Sequence, residues 1–572
     1  MQNNITNKEY LNWLAHLPEG SELKKELDSI SGDESEISMR FDIPMRFGTA
    51  GLRAVMGVGT ARMNEYTVAR ATYALAYIIN ERNLASRGVA IACDSRNNSK
   101  LFSKVSAEVL AAYGVKSYIF DDIRPTPELS FAILHLGCTA GINVTASHNP
   151  KEYNGYKVYW DDGAQMPPAE ADAVAAIADA TDVFEVKRMQ FDEGVSKGLI
   201  TIIGAEVDEA YINAVLDCRI DKTLLAEYGN KLHMAFTPLH GTGYKLVPEV
   251  LKRCGLTELG TVPEQTIPDG NFPTVQSPNP EYTSCFDLAI KNADPECTLM
   301  IGTDPDGDRI GVCVRDDEGR FFALSGNQIG ALLADYIISS KKAQGTLADN
   351  ACAIRSIVSG GLFDAICDDA GVEYIEVLTG FKYIGEKIKQ WTADGSHEFI
   401  FGYEESHGYL SKGYARDKDA VAASMLVAEM ACKCYSEGRT VYQALRALYA
   451  KHGWFAEAVV ENKISGADPM AEMSRLMSAL RADLPREICG VAVKAVRDYK
   501  SGVVTELADG STHPTDLPKS DVLYFELADG STVIVRPSGT EPKAKLYILV
   551  KADSEQAVED KLSFFSQFSI FR

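Results

Sequence analysis

At 572 residues the chain exceeds what one hydrophobic core supports, and at about 150 residues per domain it suggests roughly four domains. Its 57 basic and 80 acidic side chains leave a net charge of −23 spread along the sequence, which argues against nonspecific nucleic-acid binding and requires any anionic substrate to be met by particular Arg and Lys residues in a locally basic pocket. Twelve cysteines without a Cys-x-x-Cys pair suggest neither zinc nor a disulfide framework, and with no basic-then-apolar leader and no apolar run of membrane-spanning length, a reduced, soluble, cytoplasmic protein is expected.

Residues from about Glu9 to Met39 are charged and helix-like, with Leu11, Trp13, Leu14, Leu17 and Leu23 on a broken apolar face, and read as an N-terminal cap. Arg46-Phe47-Gly48-Thr49-Ala50-Gly51-Leu52-Arg53 follows. Its glycines permit close backbone approach, while Thr49 and Arg53 offer a hydroxyl and a guanidinium, a set suited to an anion and equally to a simple turn. Strand-helix alternation then begins, with Gly88–Cys93 as a buried strand ending in the polar loop Asp94-Ser95-Arg96-Asn97, Val115–Phe120 as another, and a Pro-punctuated turn at Pro125-Thr126-Pro127. The pattern predicts a largely parallel, helix-covered sheet with functional loops at strand C-terminal ends.

The run Gly141–Val144 reads as the end of a strand that delivers Thr145-Ala146-Ser147-His148-Asn149-Pro150, so Ser147 is expected at an exposed loop tip. Taken alone, a Ser before Asn-Pro is as readily a turn former. Asn154–Trp160 looks like a turn feeding a strand that carries Lys157, either a strand-edge lysine or a residue returning to the serine. A second alternating unit contains a strand at Lys231–Phe236, the loop Thr237-Pro238-Leu239-His240-Gly241-Thr242-Gly243 and a helix through Arg253.

After the strand Leu299–Gly302, Asp304-Pro305-Asp306-Gly307-Asp308-Arg309 sets three carboxylates at alternate positions of a tight turn. Hard oxygen ligands so concentrated suit a divalent cation such as Mg²⁺. An EF-hand does not fit, because Arg309 and Arg315 occupy the positions of its Gly and Glu. A solvated acidic turn is the plain alternative.

In a third unit, strands end at Thr379-Gly380-Phe381-Lys382 and at Tyr403-Glu404-Glu405-Ser406-His407-Gly408. Adjacent carboxylates and a hydroxyl at a strand end suit a polyol, with Lys382, Arg416 and Lys418 as candidates for phosphate binding or proton transfer, and Glu405 reads as a supporting or surface carboxylate. The last stretch carries Glu-Leu-Ala-Asp-Gly-Ser-Thr twice, at 506–512 and 526–532, read as two hairpin turns. Then Arg536-Pro537-Ser538-Gly539-Thr540-Glu541-Pro542-Lys543 gathers a guanidinium, two hydroxyls and glycine-associated amides into a phosphate cradle that is not a P-loop.

Together the loops at Ser147, 304–308, Glu404/Ser406 and 536–540 resemble, in order and over nearly the whole chain, the α-D-phosphohexomutase superfamily, and within it the longer phosphoglucomutases that start with Gly-Thr-Ala-Gly-Leu-Arg. The resemblance implies an α/β protein of four domains around a central cleft: three related α/β domains with mixed sheets (1–205, 206–318 and 319–450) and a C-terminal α+β domain with an antiparallel sheet (451–572). It implies interconversion of glucose 1-phosphate and glucose 6-phosphate through a phosphoserine at Ser147 and glucose 1,6-bisphosphate, with Mg²⁺ held by Ser147, Asp304, Asp306 and Asp308. Arg53, Lys157 and Arg309 would face the transferring phosphate, and His148, Lys157 and Lys418 compete as proton acceptors. Substrate binding would fall to Thr49, Thr379, Gly380, Lys382, Glu404, Ser406, Arg416, Arg536, Ser538, Gly539 and Thr540. Phosphomannomutase or phosphopentomutase activity is the near alternative, and a non-catalytic sugar-phosphate-binding protein a further one. The family's bifunctional members carry a Glu-x-Ser-Gly-His loop, whereas here His407 directly follows Ser406, so that histidine's role does not transfer. The expected partners are small-molecule sugar phosphates, without nucleic acid or membrane, on a monomer or weak homodimer.

Overall fold

The computed structural model describes residues 2–48, 51–464, 468–538 and 543–568. Two compact units emerge, the first comprising Met1–Ser325, Gly385–Phe399 and Ser406–Thr440, the second Gly326–Ile384, Ile400–Glu405 and Val441–Arg572. The stretch 319–450 therefore contributes to both. No described helix is long and apolar enough to cross a membrane.

The N-terminal cap of the first unit is three helices, Gln2–His16, Glu22–Ser29 and Glu34–Phe41. They close over Trp13, which is fully buried among Tyr10, Leu17, Leu27, Ile30 and Phe41.

Behind the cap lies a six-stranded sheet of β1 (Leu52–Val55), β2 (Val89–Cys93), β3 (Ser117–Phe120), β4 (Ala140–Val144), β5 (Tyr153–Trp160) and β6 (Ile200–Ile203), ordered β1-β5-β4-β2-β3-β6. β2 and β4 are buried at every residue, as expected of apolar strands covered on both faces. The pairs β2–β3, β2–β4 and β3–β6 are parallel, but β5 returns antiparallel to β4, and β1 antiparallel to β5. The sheet is thus mixed rather than largely parallel on this side. The segment that connects β4 to β5 is too short for the crossover of a dozen or more residues that a parallel pair needs, so the chain folds straight back. That hairpin end is the serine loop.

A second sheet, ordered β11-β10-β9-β7-β8, contains β7 (Ala235–Thr237), β8 (Gly260–Thr261), β9 (Leu299–Thr303), β10 (Ile310–Arg315) and β11 (Phe321–Ala323). β7 is shorter than the strand expected from Lys231, because Gly229–Lys231 closes as a 3₁₀ turn. β9 and β10 form an antiparallel hairpin with Thr303 opposite Ile310, and the three aspartates occupy its tip. The helix Ala420–Ser436, buried along most of its length and capped by Asp419, completes this unit; its first amide donates to the carbonyl of Gly307 in that tip.

In the second unit β12 (Ala351–Ser356) pairs in parallel with β13 (Glu373–Val377), and β14 (Glu398–Glu404) ends at the candidate sugar loop. The remainder is an eight-stranded sheet between Trp454 and Ala552, antiparallel at each of its pairings. Both copies of the repeated heptapeptide are hairpin turns, joining Val503–Glu506 to Thr512–Pro514 and Leu523–Leu527 to Thr532–Pro537.

Candidate active site

Ser147 is 3 % exposed, not at an exposed tip as its sequence context predicts. The metal loop and Arg96 account for the difference. Its backbone adopts a left-handed conformation, φ +52°, which costs a non-glycine residue about 1–2 kcal/mol and must be held from outside. The Ser147 amide donates to Thr145 Oγ1 at 2.8 Å, and Thr145 Oγ1 donates to Asp94 Oδ2 at 2.6 Å. Asp94 also accepts from Ser99 Oγ and from the Arg96 amide. The Arg96 guanidinium then donates to the carbonyls of Ser147, Asn149, Pro150 and Tyr153, so one fully buried cation grips the whole loop.

The Ser147 hydroxyl lies 2.7 Å from Asp304 Oδ2 and 3.2 Å from His148 Nδ1; it can donate to only one of them at a time. Asp304, Asp306 and Asp308 are all buried, and their ligand oxygens lie within 4.8 Å of one another. Asp304 Oδ1 accepts from the amides of Asp308 and Arg309, which fixes the turn. Asp306 Oδ2 accepts from Lys157 Nζ at 2.7 Å and from Thr126 Oγ1 at 3.0 Å. By contrast, Asp306 Oδ1 and Asp308 Oδ1 are buried without a hydrogen-bond partner among the described residues. Burial, then repulsion from Asp306 and Asp308, pushes the Asp304 pKa well above the usual carboxylate range. Against the upward push of burial, Lys157 holds Asp306 below it. Crowded buried carboxylates with unsatisfied oxygens are the donor set a small divalent cation takes.

The basic residues divide by what they touch. Lys157, on β5 and 6 % exposed, is no strand-edge lysine: burial would lower its pKa, but Asp306 and Asp308 outweigh that and keep it charged. Lys418 Nζ lies 3.2 Å from Asp308 Oδ2 and 2.8 Å from Asp417 Oδ1, and Asp417 is itself held by the Tyr159 hydroxyl at 2.7 Å. Arg309 pairs with Glu281 at 3.0 Å, its Nε 3.8 Å from Asp308. Arg53 is exposed on β1 and reaches Asn149 Oδ1 at 3.4 Å. Burial, followed by the charges of Arg309 and Arg53, drives the His148 pKa well below its ordinary value, so the ring is neutral at pH 7. Arg416 donates to the carbonyls of Gly413 and Ala415, and its buried Nε has no hydrogen-bond partner among the described residues. His407, left-handed at φ +65°, is also kept neutral by burial and bonds the Ile310 carbonyl from Nδ1 at 3.0 Å, a structural tie. Ser406 is half-buried in the turn that precedes it.

Within the second unit, Glu404 Oε1 accepts from the Gly380 amide at 2.5 Å, which joins the two candidate sugar loops. Gly380 has φ +126°, a conformation that favours glycine, and Thr379 Oγ1 is buried without a hydrogen-bond partner among the described residues. Lys382 Nζ lies 5.1 Å from the Tyr383 ring centre. Glu405 accepts from Ser356 Oγ at 3.0 Å, as a supporting carboxylate would. Arg536, half-buried at the end of its strand, acts electrostatically on Glu405 and on the Tyr547 hydroxyl, whose pKa burial and Glu405 push up to about 12. Ser538 donates its amide to the Lys543 carbonyl. Thr49, Gly539 and Thr540 lie outside the described residues.

Sequence reasoning passed over Asp94, Thr145 and Arg96, although a polar loop at the end of β2, the strand beside β4, was a usable signal. Thr126 looked like turn punctuation. Asp417 and Glu281 carry no local signature.

Four family models match the chain in order. They are the α/β/α domains I, II and III of phosphoglucomutase/phosphomannomutase at residues 44–184, 209–319 and 325–452, and the C-terminal domain at 480–562. A phosphoglucomutase of Staphylococcus epidermidis is 35 % identical over 559 residues, covering 96 % of this chain and 98 % of the relative. One of Staphylococcus aureus is 36 % identical over 536 residues, covering 93 % and 94 %. Among solved structures, a phosphoglucomutase of Paramecium (parafusin) superposes with a TM-score of 0.68 at 18 % identity, covering 91 % of this chain and 94 % of that one. A phosphoglucomutase/phosphomannomutase family protein of Burkholderia thailandensis gives 0.64 at 18 % identity, covering 91 % and 95 %. The buried serine against three aspartates, the order of the four matched domains and the near-full-length relatives lead to one conclusion: the chain belongs to the phosphoglucomutase/phosphomannomutase family of the α-D-phosphohexomutases.

Proposed function

We propose that this chain is a phosphoglucomutase that interconverts α-D-glucose 1-phosphate and glucose 6-phosphate through phospho-Ser147 and a glucose 1,6-bisphosphate intermediate. The observation that carries this reading is the 2.7 Å contact between Ser147 Oγ and Asp304 Oδ2, in a triad that leaves two buried carboxylate oxygens unpaired. Ser147 Oγ, Asp304, Asp306 and Asp308 would hold Mg²⁺, which supplies positive charge to the phosphoryl group when bound.

Phosphoryl transfer needs positioning and charge stabilisation more than covalent help. In this reading Arg96 holds the nucleophile loop, while Lys157, Lys418, Arg309 and Arg53 supply fixed positive charge around the transferring group. His148, neutral and 3.2 Å from Ser147 Oγ, acts as a proton relay: when the serine hydroxyl attacks it takes that proton and gives it up to the departing sugar oxygen, and in the other half-reaction the proton of the attacking sugar hydroxyl passes through it to Ser147 Oγ. Lys157 and Lys418 are engaged by carboxylates and are the poorer proton acceptors. Glu404 with Gly380, Thr379, Lys382 and Ser406 binds sugar hydroxyls, and Arg536, Ser538, Gly539 and Thr540 bind the non-transferring phosphate.

The test is the purified enzyme with glucose 1-phosphate, mannose 1-phosphate and ribose 1-phosphate, beside Ser147→Ala. The reading expects the highest kcat/KM on glucose 1-phosphate and loss of turnover in the variant. Faster turnover of mannose or ribose phosphate would make the enzyme a phosphomannomutase or phosphopentomutase. An active Ser147→Ala protein would end the phosphoserine mechanism.

A further inference from the structure

We infer that Thr126 is a positioning residue for the metal loop, and that its hydroxyl decides which oxygen of Asp306 is offered to a divalent cation. The inference rests on the reading that this loop holds such a cation.

Thr126 opens the helix Thr126–Leu136, 180 residues before Asp306. Two bonds join them: the Thr126 amide donates to the Asp306 carbonyl at 2.8 Å, and the Thr126 hydroxyl donates to Asp306 Oδ2 at 3.0 Å. The direction of the second bond is fixed from behind, because Asn143 Nδ2 donates to Thr126 Oγ1 at 2.7 Å, which leaves the hydroxyl proton to point at the carboxylate. Lys157 Nζ donates to the same Oδ2 at 2.7 Å.

A carboxylate oxygen has two lone pairs, so Thr126 and Lys157 together saturate Oδ2. Oδ1 is left buried and without a hydrogen-bond partner among the described residues. Asp306 can therefore give a cation one oxygen and not two. That restriction matters chemically: Mg²⁺ demands near-octahedral geometry with compact, single-oxygen ligands, whereas Ca²⁺ accepts bidentate carboxylates and higher coordination numbers. Lys157 supplies charge as well as a hydrogen bond. Thr126 gives Asp306 a hydrogen bond without a charge, so its removal changes the geometry offered to the cation and leaves the site's charge as it was.

The experiment is calorimetric titration of metal-stripped protein with Mg²⁺ and separately with Ca²⁺, on the unsubstituted protein, Thr126→Val and Thr126→Ser, alongside thermal unfolding in EDTA. Thr126→Val keeps the shape and the amide bond but frees one lone pair of Oδ2. It should weaken Mg²⁺ binding by about tenfold, the scale found when groups that orient metal ligands are lost, and move the Ca²⁺/Mg²⁺ affinity ratio toward Ca²⁺; because Asn143 Nδ2 also loses its acceptor, unfolding in EDTA should come somewhat earlier, an effect common to both cations that the affinity ratio does not register. Thr126→Ser should restore both the Mg²⁺ affinity and the ratio. Should Thr126→Val fail to fold, Thr126→Ala answers the same question. Unchanged Mg²⁺ affinity in a folded hydroxyl-free variant, or an equal loss for both cations, would overturn the role of Thr126. No Mg²⁺ binding by the unsubstituted protein would overturn the reading of the loop itself.

Discussion

Arg96 holds Ser147 by its backbone and not by its side chain: the guanidinium of one donates to the carbonyl of the other and to three further carbonyls of the same loop, while Asp94 neutralises its charge. The left-handed turn at Ser147 is thereby imposed by a group that never touches the hydroxyl.

Lysine cannot reproduce that grip, because a single ammonium has neither the reach nor the fork of a guanidinium. Arg96→Lys should fold with its charge intact yet lose about 100-fold in kcat, the cost of misplacing a reacting atom by about an ångström. Arg96→Ala should also destabilise the protein by on the order of 3 kcal/mol, since Asp94 is then buried without its countercharge. Steady-state kinetics and denaturant midpoints separate the two effects.

Removal of divalent cations should abolish mutase turnover, and Mg²⁺ should restore it. The same ion should raise the melting temperature, because it binds the unpaired oxygens of Asp306 and Asp308 only in the folded state. At a hundred times the dissociation constant the gain is about 2.7 kcal/mol. Scanning calorimetry across an Mg²⁺ series checks this; a melting temperature independent of Mg²⁺ would exclude the loop as a cation site.

The loop 237–243 supports the aspartate turn from the side. Leu239 and His240 are both left-handed, and a Cβ added at Gly241 would stand 2.4 Å from Pro305 Cα. Backbone has to move to accept it. Gly241→Ala should therefore cost about 1–3 kcal/mol and weaken Mg²⁺ binding, read by denaturant unfolding and by titration.

Glu405 should make the protein's stability depend on pH near neutrality. Burial, then the charge of Glu404, pushes its pKa up to about 7 from the usual 4.5. The folded protein thus keeps a proton that the unfolded chain releases. Glu405's contribution is fully present below about pH 4.5 and is lost as pH rises through about 7. Glu405→Gln, which cannot ionise, should gain on the unsubstituted protein by about 1–3 kcal/mol between pH 5 and pH 8. Urea unfolding at the two pH values measures it.

How much of this is legible in the sequence depends on distance along the chain. The apolar runs of β2 and β4 are buried as they read, and both Asp-Gly heptapeptides are hairpin turns, because short-range pattern decides such elements. The three aspartates are conspicuous for the same reason. Ser147 is another matter: its burial comes from Asp304, 157 positions later, and no local property of Thr-Ala-Ser-His-Asn-Pro announces it. Lys157 misleads alone, since a lysine in a strand looks like edge protection until the carboxylates that receive it are in place. Thr126 and Asp417 act through partners far away in sequence, and the residues around them carry only turn and loop composition.

The helix Ala420–Ser436 begins against the Gly307 carbonyl and is preceded by the lysine that reaches Asp308. A ribosome must therefore synthesise some 110 residues beyond the aspartate hairpin before the packing against that hairpin can be completed. Until then Tyr159 and Tyr211 lack the Asp417 and Asp419 oxygens that receive their hydroxyls, and the surface awaiting the apolar helix stays open to water. A nascent chain that has already emerged with its serine and all three aspartates is still incompletely packed around them, exposed to chaperones and proteases, and its chemistry switches on only when a late segment threads back to an early one.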